Sequence, residues 1–137
     1  MTKNLTLIGM SDFPEFNEGD KVAELILNNA RRHNIPLFNH DIYIITQKII
    51  SKVEYRLRDL RAVNPSTEAY RIAKIADKRP QLVQLILDES QEVLRIRKGL
   101  IIVRHKLGFV CANAGIDHSN TVPNDDNNNY VLLLYLL

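Results

Sequence analysis

A chain of 137 residues with 45% hydrophobic residues has the size of one ordinary domain and enough apolar material for a real core. Its formal net charge of +2, with 25% charged residues, gives no strong bias toward nucleic acid or a membrane surface, and a third reading as a nucleic-acid-binding module would rest only on a pI near 8.7. The lone cysteine, Cys111, excludes an internal disulfide and favours a reducing, cytoplasmic setting, and no segment reaches the ~20 apolar residues that span a bilayer.

Thr6, Leu7 and Ile8 predict a short first strand, ended by Gly9 and a polar, aromatic loop through Asp12-Phe13-Pro14-Glu15 to Gly19-Asp20. Asp20 is the expected N-cap of a helix whose apolar face is Val22, Leu25, Ile26 and Ala30, with Arg31-Arg32-His33 complementing its C-terminal dipole. Ile42-Tyr43-Ile44-Ile45 is a continuous β-branched run of the kind found in a strand buried on both faces, which points to an α/β sheet. Glu54, Arg56 and Arg58 alternate with Val53, Tyr55 and Leu57 as in a strand with one solvated face, where Arg56 could face an anion.

Asn64-Pro65 reads as an N-cap and first helical position, opening a helix through Ala69, Ile72, Ala73 and Ala76 that Pro80 breaks. A second helical stretch carries Leu82, Val83, Leu85, Ile86 and Leu87, and later Val93 and Leu94. Lys98-Gly99 marks a turn, and 100–103 and 107–111 are expected to form an antiparallel hairpin joined by Arg104-His105-Lys106. After Pro123, the run Asn124-Asp125-Asp126-Asn127-Asn128-Asn129 is a polar loop, and the apolar end from Tyr130 to Leu137 wants neighbours on both sides.

Two segments carry polar chemistry. In Thr46-Gln47-Lys48-Ile49-Ile50-Ser51-Lys52, two lysines four apart share a helical face and could hold phosphates or carboxylates, aided by a helix N-terminus beyond a parallel strand. A solvated basic helix start is the plainer reading, and no Walker A or Gly-x-Gly-x-x-Gly pattern is present. The second segment runs from Gly108-Phe109-Val110-Cys111 through Ala112-Asn113-Ala114-Gly115 to Ile116-Asp117-His118-Ser119-Asn120. There a strand delivers the Asp117 carboxylate and the Asn113 and Asn120 amides, oxygens suited to magnesium or manganese beside phosphates. One carboxylate is too few for such a site, and a capped polar turn is an equal alternative; Asp125 and Asp126 are candidates for the missing ligand. The histidines at 33, 40, 105 and 118 have no metal spacing, and Cys111 reads as a small buried residue.

The chain resembles the coenzyme F420-0:γ-glutamyl ligase family (CofE) over its length to about Pro123. The matching blocks are Phe13-Pro14-Glu15-Phe16 with Gly19-Asp20 and the helix 22–26, then Thr46 to Glu54, then Leu82 to Leu87 with Glu89-Ser90, and above all Gly108 to Asn120. The resemblance implies a CofE-like α/β fold, a mixed sheet with flanking helices, and a homodimer. It implies a GTP-dependent ligase that adds L-glutamate in amide linkage to the deazaflavin coenzyme F420-0 through an acyl phosphate, releasing GDP and phosphate. It further implies dependence on magnesium or manganese, with help from potassium, and no nucleic-acid or membrane partner.

Carried over by position, Phe13, Pro14, Glu15 and Phe16 would lie along the nucleotide. Gln47, Lys48 and Lys52 would reach its phosphates or base, Asn120 would touch it, and Asp117 would be a metal ligand. No catalytic residue is assigned. Family members run well beyond this chain, so residues 1–123 are expected to be the N-terminal part of a ligase domain, apparently truncated, followed by an asparagine-rich loop and apolar terminal strand at 124–137. The alternative is an inactive fragment that keeps partial GTP and metal binding or a dimer surface.

Overall fold

In the computed structural model, which describes residues 4–118 and 129–134, the α/β expectation holds in the form of four helices and two small antiparallel sheets. The helices are α1 (Val22–Arg32), α2 (Gln47–Val53), α3 (Thr67–Ala76) and α4 (Pro80–Asp88). Strands β2 (Ser90–Arg97), β3 (Leu100–His105) and β4 (Val110–Ala112) form a meander, and β1 (Leu57–Asp59) pairs with β5 (Tyr130–Leu132).

Local chemistry explains most helix ends. Ser66, not Asn64, caps α3: its hydroxyl accepts the Ala69 N–H at 3.2 Å, leaving Pro65 just outside the helix. Asp77 ends α3 in the left-handed conformation at φ 52°, and the Gly99 N–H reaches back to the Ala76 carbonyl at 2.7 Å, satisfying one of the carbonyls a helix end leaves open. Pro80 then opens α4 at a position where a missing N–H costs nothing. Asp20 does not cap α1. Lys21 holds that position, and the Asp20 carboxylate instead accepts the Asn17 N–H at 2.7 Å, closing the preceding turn.

The expected extension of the α4 pattern to Val93 and Leu94 is overturned, because both lie in β2. The Ser90 hydroxyl donates to the Ile86 carbonyl at 2.5 Å, and from there the backbone pairs with β3, setting Val93 against Val103 and Ile96 against Ile101. The 100–103/107–111 hairpin is present as β3 and β4, with Gly108 at φ +90° in its turn. Along β3 the inward positions are Ile101, Val103 and His105, so His105 belongs to the buried period-two face and not to the polar turn.

One core joins these elements. Ile72, Ala73 and Ala76 of α3, Leu82, Val83 and Ile86 of α4, and Ile101 and Val103 of β3 pack together with Leu60, Val131 and Leu133. Each fully buried Leu, Ile or Val side chain stabilises by about 1.5–3 kcal/mol. The apolar run near the end of the chain is part of this core and does have neighbours on both sides. β5 pairs with β1 on one edge, and Leu132 exchanges both backbone hydrogen bonds with Asp117 at 2.8 and 2.9 Å on the other.

Two expected strands do not form. Residues 6–8 and 42–45 pair with no strand among the described residues, and their side chains are not buried, with Ile42 88% exposed. An apolar β-branched run specifies extended backbone, but a strand also needs a partner edge, and the described chain offers none to either segment. The alternation at 53–58 yields only the short β1, because α2 runs to Val53 and Tyr55 turns the chain at φ 58°.

Candidate functional site

The two polar segments meet. β4 ends at Ala112, and Asn113, Ala114 and Gly115 follow with φ of 50°, 53° and 66°, a left-handed turn that re-aims the chain so that Asp117 bridges Leu132. Gly115 is the tightest point: a Cβ there would stand 2.4 Å from Cδ1 of Leu134. The Asn113 side chain folds back and its Oδ1 accepts the Ile101 N–H at 3.0 Å, so this amide secures the turn to β3.

Helix α2 faces the turn. The Gln47 side-chain amide donates to the Gly115 carbonyl at 3.1 Å, and Lys48 Nζ lies 3.6 Å from Asp117 Oδ2. One turn further along the same face, Lys52 Nζ lies 3.4 Å from Glu15 Oε1. The loop carrying Glu15 is tied to α2 a second time, by the Gly19 N–H on the Val53 carbonyl at 2.9 Å. Phe13 and Phe16 flank Glu15 and Pro14 with ring centroids 5.6 Å apart, both half-buried, while Pro14 and Glu15 are exposed. The expected set Phe13, Pro14, Glu15, Phe16, Gln47, Lys48, Lys52 and Asp117 thus lies on three segments linked by direct contacts. Asn120, Asp125 and Asp126 lie outside the described residues.

The electrostatics differ from expectation in one respect. α2 is only seven residues long and, among the described residues, follows no parallel strand, so the positive charge on this face is that of the Lys48 and Lys52 ammonium groups and not of a helix dipole. Both lysines face carboxylates in partly exposed pairs, which are worth about 0–1 kcal/mol and open readily to a competing ligand. Among the described residues no three His, Cys, Asp or Glu side chains converge as a metal cluster. A carboxylate such as that of Asp117 suits a cation that keeps waters and takes phosphate oxygens. Ser51, on the inward face of α2, is fully buried with its Oγ lacking a partner among the described residues.

Behind this face lies a buried network that sequence reasoning mostly missed. Arg56 donates through Nη2 to Glu89 Oε2 at 2.5 Å and through Nε to the Leu134 carbonyl at 2.7 Å, so the anion it faces is an internal carboxylate. His105 is fully buried, stacks on Phe109 with centroids 5.0 Å apart, accepts the Leu107 N–H on Nδ1 at 3.1 Å, and holds Nε2 3.7 Å from the same Glu89 oxygen. Burial pushes its pKa down, against the opposing pull of Glu89 and with Arg56 and Lys106 adding to the depression. The signal in the sequence was the period-two continuation of Ile101 and Val103. Burial also raises the Cys111 thiol, which keeps it in the inert protonated form.

The family described as F420-0:Gamma-glutamyl ligase matches residues 11–134. The chain is similar to the coenzyme F420:L-glutamate ligase of Methanothermobacter thermautotrophicus, at 40% identity over 116 residues, 85% of this chain and 46% of that protein. The ligases of the same name from Methanocaldococcus jannaschii and Archaeoglobus fulgidus are 38% and 41% identical, covering 86% and 78% of this chain and 45% and 41% of theirs. The chain thus spans about half the length of the curated relatives it matches. Among the described residues no helix is long and apolar enough to cross a membrane.

Proposed function

Because the chain belongs to the F420-0:γ-glutamyl ligase family, we propose that it supplies the nucleotide-phosphate side of a ligase that joins L-glutamate to coenzyme F420-0 with GTP as co-substrate. The observation that supports this reading is the placement of Lys48 within 3.6 Å of Asp117, with Gln47 and Lys52 on the same helix. A phosphate chain and a divalent cation arriving together would each take one member of the Lys48–Asp117 pair, the ammonium for the phosphate and the carboxylate for the metal. Both charges are already in place, and the pair they leave is weak. Lys52 would leave Glu15 in the same way to meet a second phosphate, and the Phe13–Phe16 loop would border the nucleotide.

Magnesium or manganese bound beside Asp117 would supply charge neutralisation on the phosphates, its other positions filled by phosphate oxygens, waters and parts of the family fold beyond the chain. Activation of the F420-0 carboxylate as an acyl phosphate requires an incoming γ-phosphoryl group with its charge cancelled, and attack by the glutamate amine then forms the amide and releases phosphate. The chain's contribution is positioning: Gln47 fixes the 113–115 turn, that turn fixes Asp117, and the lysines orient the phosphates. Potassium and the homodimer are expected on the same family grounds and are assigned to no residue.

The test is to incubate the chain with GTP, manganese, L-glutamate and F420-0, and to follow products by mass spectrometry alongside GTP binding by calorimetry. A coenzyme heavier by one glutamyl residue, with GDP in equal amount, supports the whole reading. Manganese-dependent GTP binding without product supports the nucleotide-side role alone. Neither product nor GTP binding refutes both.

A further inference from the structure

Arg56 lies where the chain leaves α2, and it holds both halves of the site. Its N–H donates to the Ser51 carbonyl of α2 at 2.9 Å, and its own carbonyl accepts the Leu133 N–H at 3.0 Å. The side chain repeats the grip one residue further on, with Nε donating to the Leu134 carbonyl at 2.7 Å. Leu132, just before these two, exchanges both backbone hydrogen bonds with Asp117, and the Leu134 side chain closes over Gly115. One arginine thus ties the helix that carries Lys48 and Lys52 to the strand that backs Asp117. The far end of its guanidinium is fixed by Glu89, to which Nη2 donates. Glu89 is itself anchored twice, its N–H on the Leu85 carbonyl at the end of α4 and its carbonyl on the Lys106 N–H in the β3–β4 turn. The two side chains are 13% and 10% exposed. A buried ion pair of this kind is often no more stabilising than apolar side chains of the same volume. What apolar side chains cannot supply is a rigid fork of donors that fixes one carbonyl against one carboxylate.

We propose that Arg56, braced by Glu89, is a positioning residue that sets the separation of Lys48 from Asp117, and so the geometry in which a phosphate and a divalent cation are received together. The proposal rests on the reading of Asp117 as the carboxylate for the cation. Gln47 ties the first turn of α2 to the Gly115 carbonyl at 3.1 Å, and Arg56 ties the other end of the helix to residues 133 and 134. Two ties at opposite ends hold the Lys48 face at one angle to the Asp117 turn. With the Arg56 tie cut, α2 pivots about Gln47, and the ammonium and the carboxylate no longer stand at one fixed spacing. A purely structural role for the pair makes a different prediction, in which whatever restores stability also restores binding. Under the positioning role it does not, because removing Glu89 relieves the orphaned carboxylate but leaves the Leu134 carbonyl without its donor.

The experiment compares the chain with Arg56→Met/Glu89→Leu and with Arg56→Lys, by native-state amide hydrogen exchange and by GTP calorimetry with and without manganese. Arg56→Lys keeps a charge beside Glu89 without the fork, and it carries the test if the double variant does not fold. In either variant the Asp117 and Leu132 amides are expected to exchange about tenfold faster or more, measured against those of β3, the central strand of the meander, which report any loss of global stability. The gain in GTP affinity that manganese brings is expected to fall about tenfold, even in a double variant whose urea midpoint matches the parent. Unchanged relative exchange at Asp117 and Leu132 overturns the proposal. So does a manganese gain that returns in step with stability, which assigns the pair to the core alone. A parent chain whose GTP affinity ignores manganese overturns the metal reading and this proposal together, whereas a parent that responds, with variants that respond equally, overturns this proposal alone.

Discussion

Replacing Gly115 by alanine tests the turn that aims Asp117. Two costs add at this position. A non-glycine residue at φ +66° costs about 1–2 kcal/mol because its Cβ crowds the following carbonyl. The new Cβ would also stand 2.4 Å from Cδ1 and 2.7 Å from Cγ of Leu134, well inside contact distance, and displacing a packed side chain costs a further ~1–3 kcal/mol. The second cost is not confined to a flexible tip, because Cγ itself must move and the Leu134 carbonyl is the acceptor for Arg56. Gly115→Ala is therefore expected to destabilise by about 2–5 kcal/mol. Gly108→Ala is the control: its φ of +90° carries the backbone cost, but nothing lies within 4 Å of the new Cβ. Urea unfolding followed by far-ultraviolet circular dichroism should place Gly108→Ala about 1–2 kcal/mol below the parent and Gly115→Ala a further 1–3 kcal/mol lower. Equal losses for the two variants would show that Leu134 does not close over Gly115, and would remove the stated reason for the position of Asp117.

Two further predictions concern the buried network. His105 has a lowered folded pKa and an unfolded value near ~6.5, so the unfolded chain binds its proton first. The stability this group contributes is complete above about pH 6.5 and is lost as pH falls through the lowered folded value. The urea midpoint should therefore fall between about pH 7 and pH 5, and His105→Leu should flatten that decline; an unchanged slope in the variant would contradict it. Arg56→Met leaves the Glu89 carboxylate, 7% exposed, without its closest partner, and is expected to cost about 3–5 kcal/mol, whereas Arg56→Met combined with Glu89→Leu should recover much of that loss. A double variant as unstable as the single one would mean that the packing of Arg56, not its charge, is what matters.

The sequence made the helices legible because their signals are local. Apolar spacing located α1, α3 and α4, and Pro80 marked the break between the last two. Errors arose where a signal had two readings. Asn64 and Ser66 are both good caps, and only the 3.2 Å contact to Ala69 chooses between them. Val93 and Leu94 fit a helical face until β3 supplies an edge to pair with. The run 42–45 has strong strand character with no partner among the described residues, so no local pattern could foretell its exposure. At the site, the lysine spacing and the Asp117 turn were each visible, but their approach to 3.6 Å across 69 positions of sequence is a tertiary fact. The Arg56–Glu89–His105 network was hidden for the same reason, its members lying in three separate stretches of the chain.

The most direct test of the central claim is GTP affinity, measured by calorimetry with and without manganese, for the chain, Lys48→Ala and Asp117→Asn. Losing a charged contact is worth about 1.5–3 kcal/mol, so Lys48→Ala should weaken GTP about tenfold or more in either condition. Asp117→Asn should weaken binding by a similar factor only when manganese is present, and should abolish the manganese dependence itself. An Asp117→Asn variant that binds GTP as tightly as the parent, with the same response to manganese, would contradict the account.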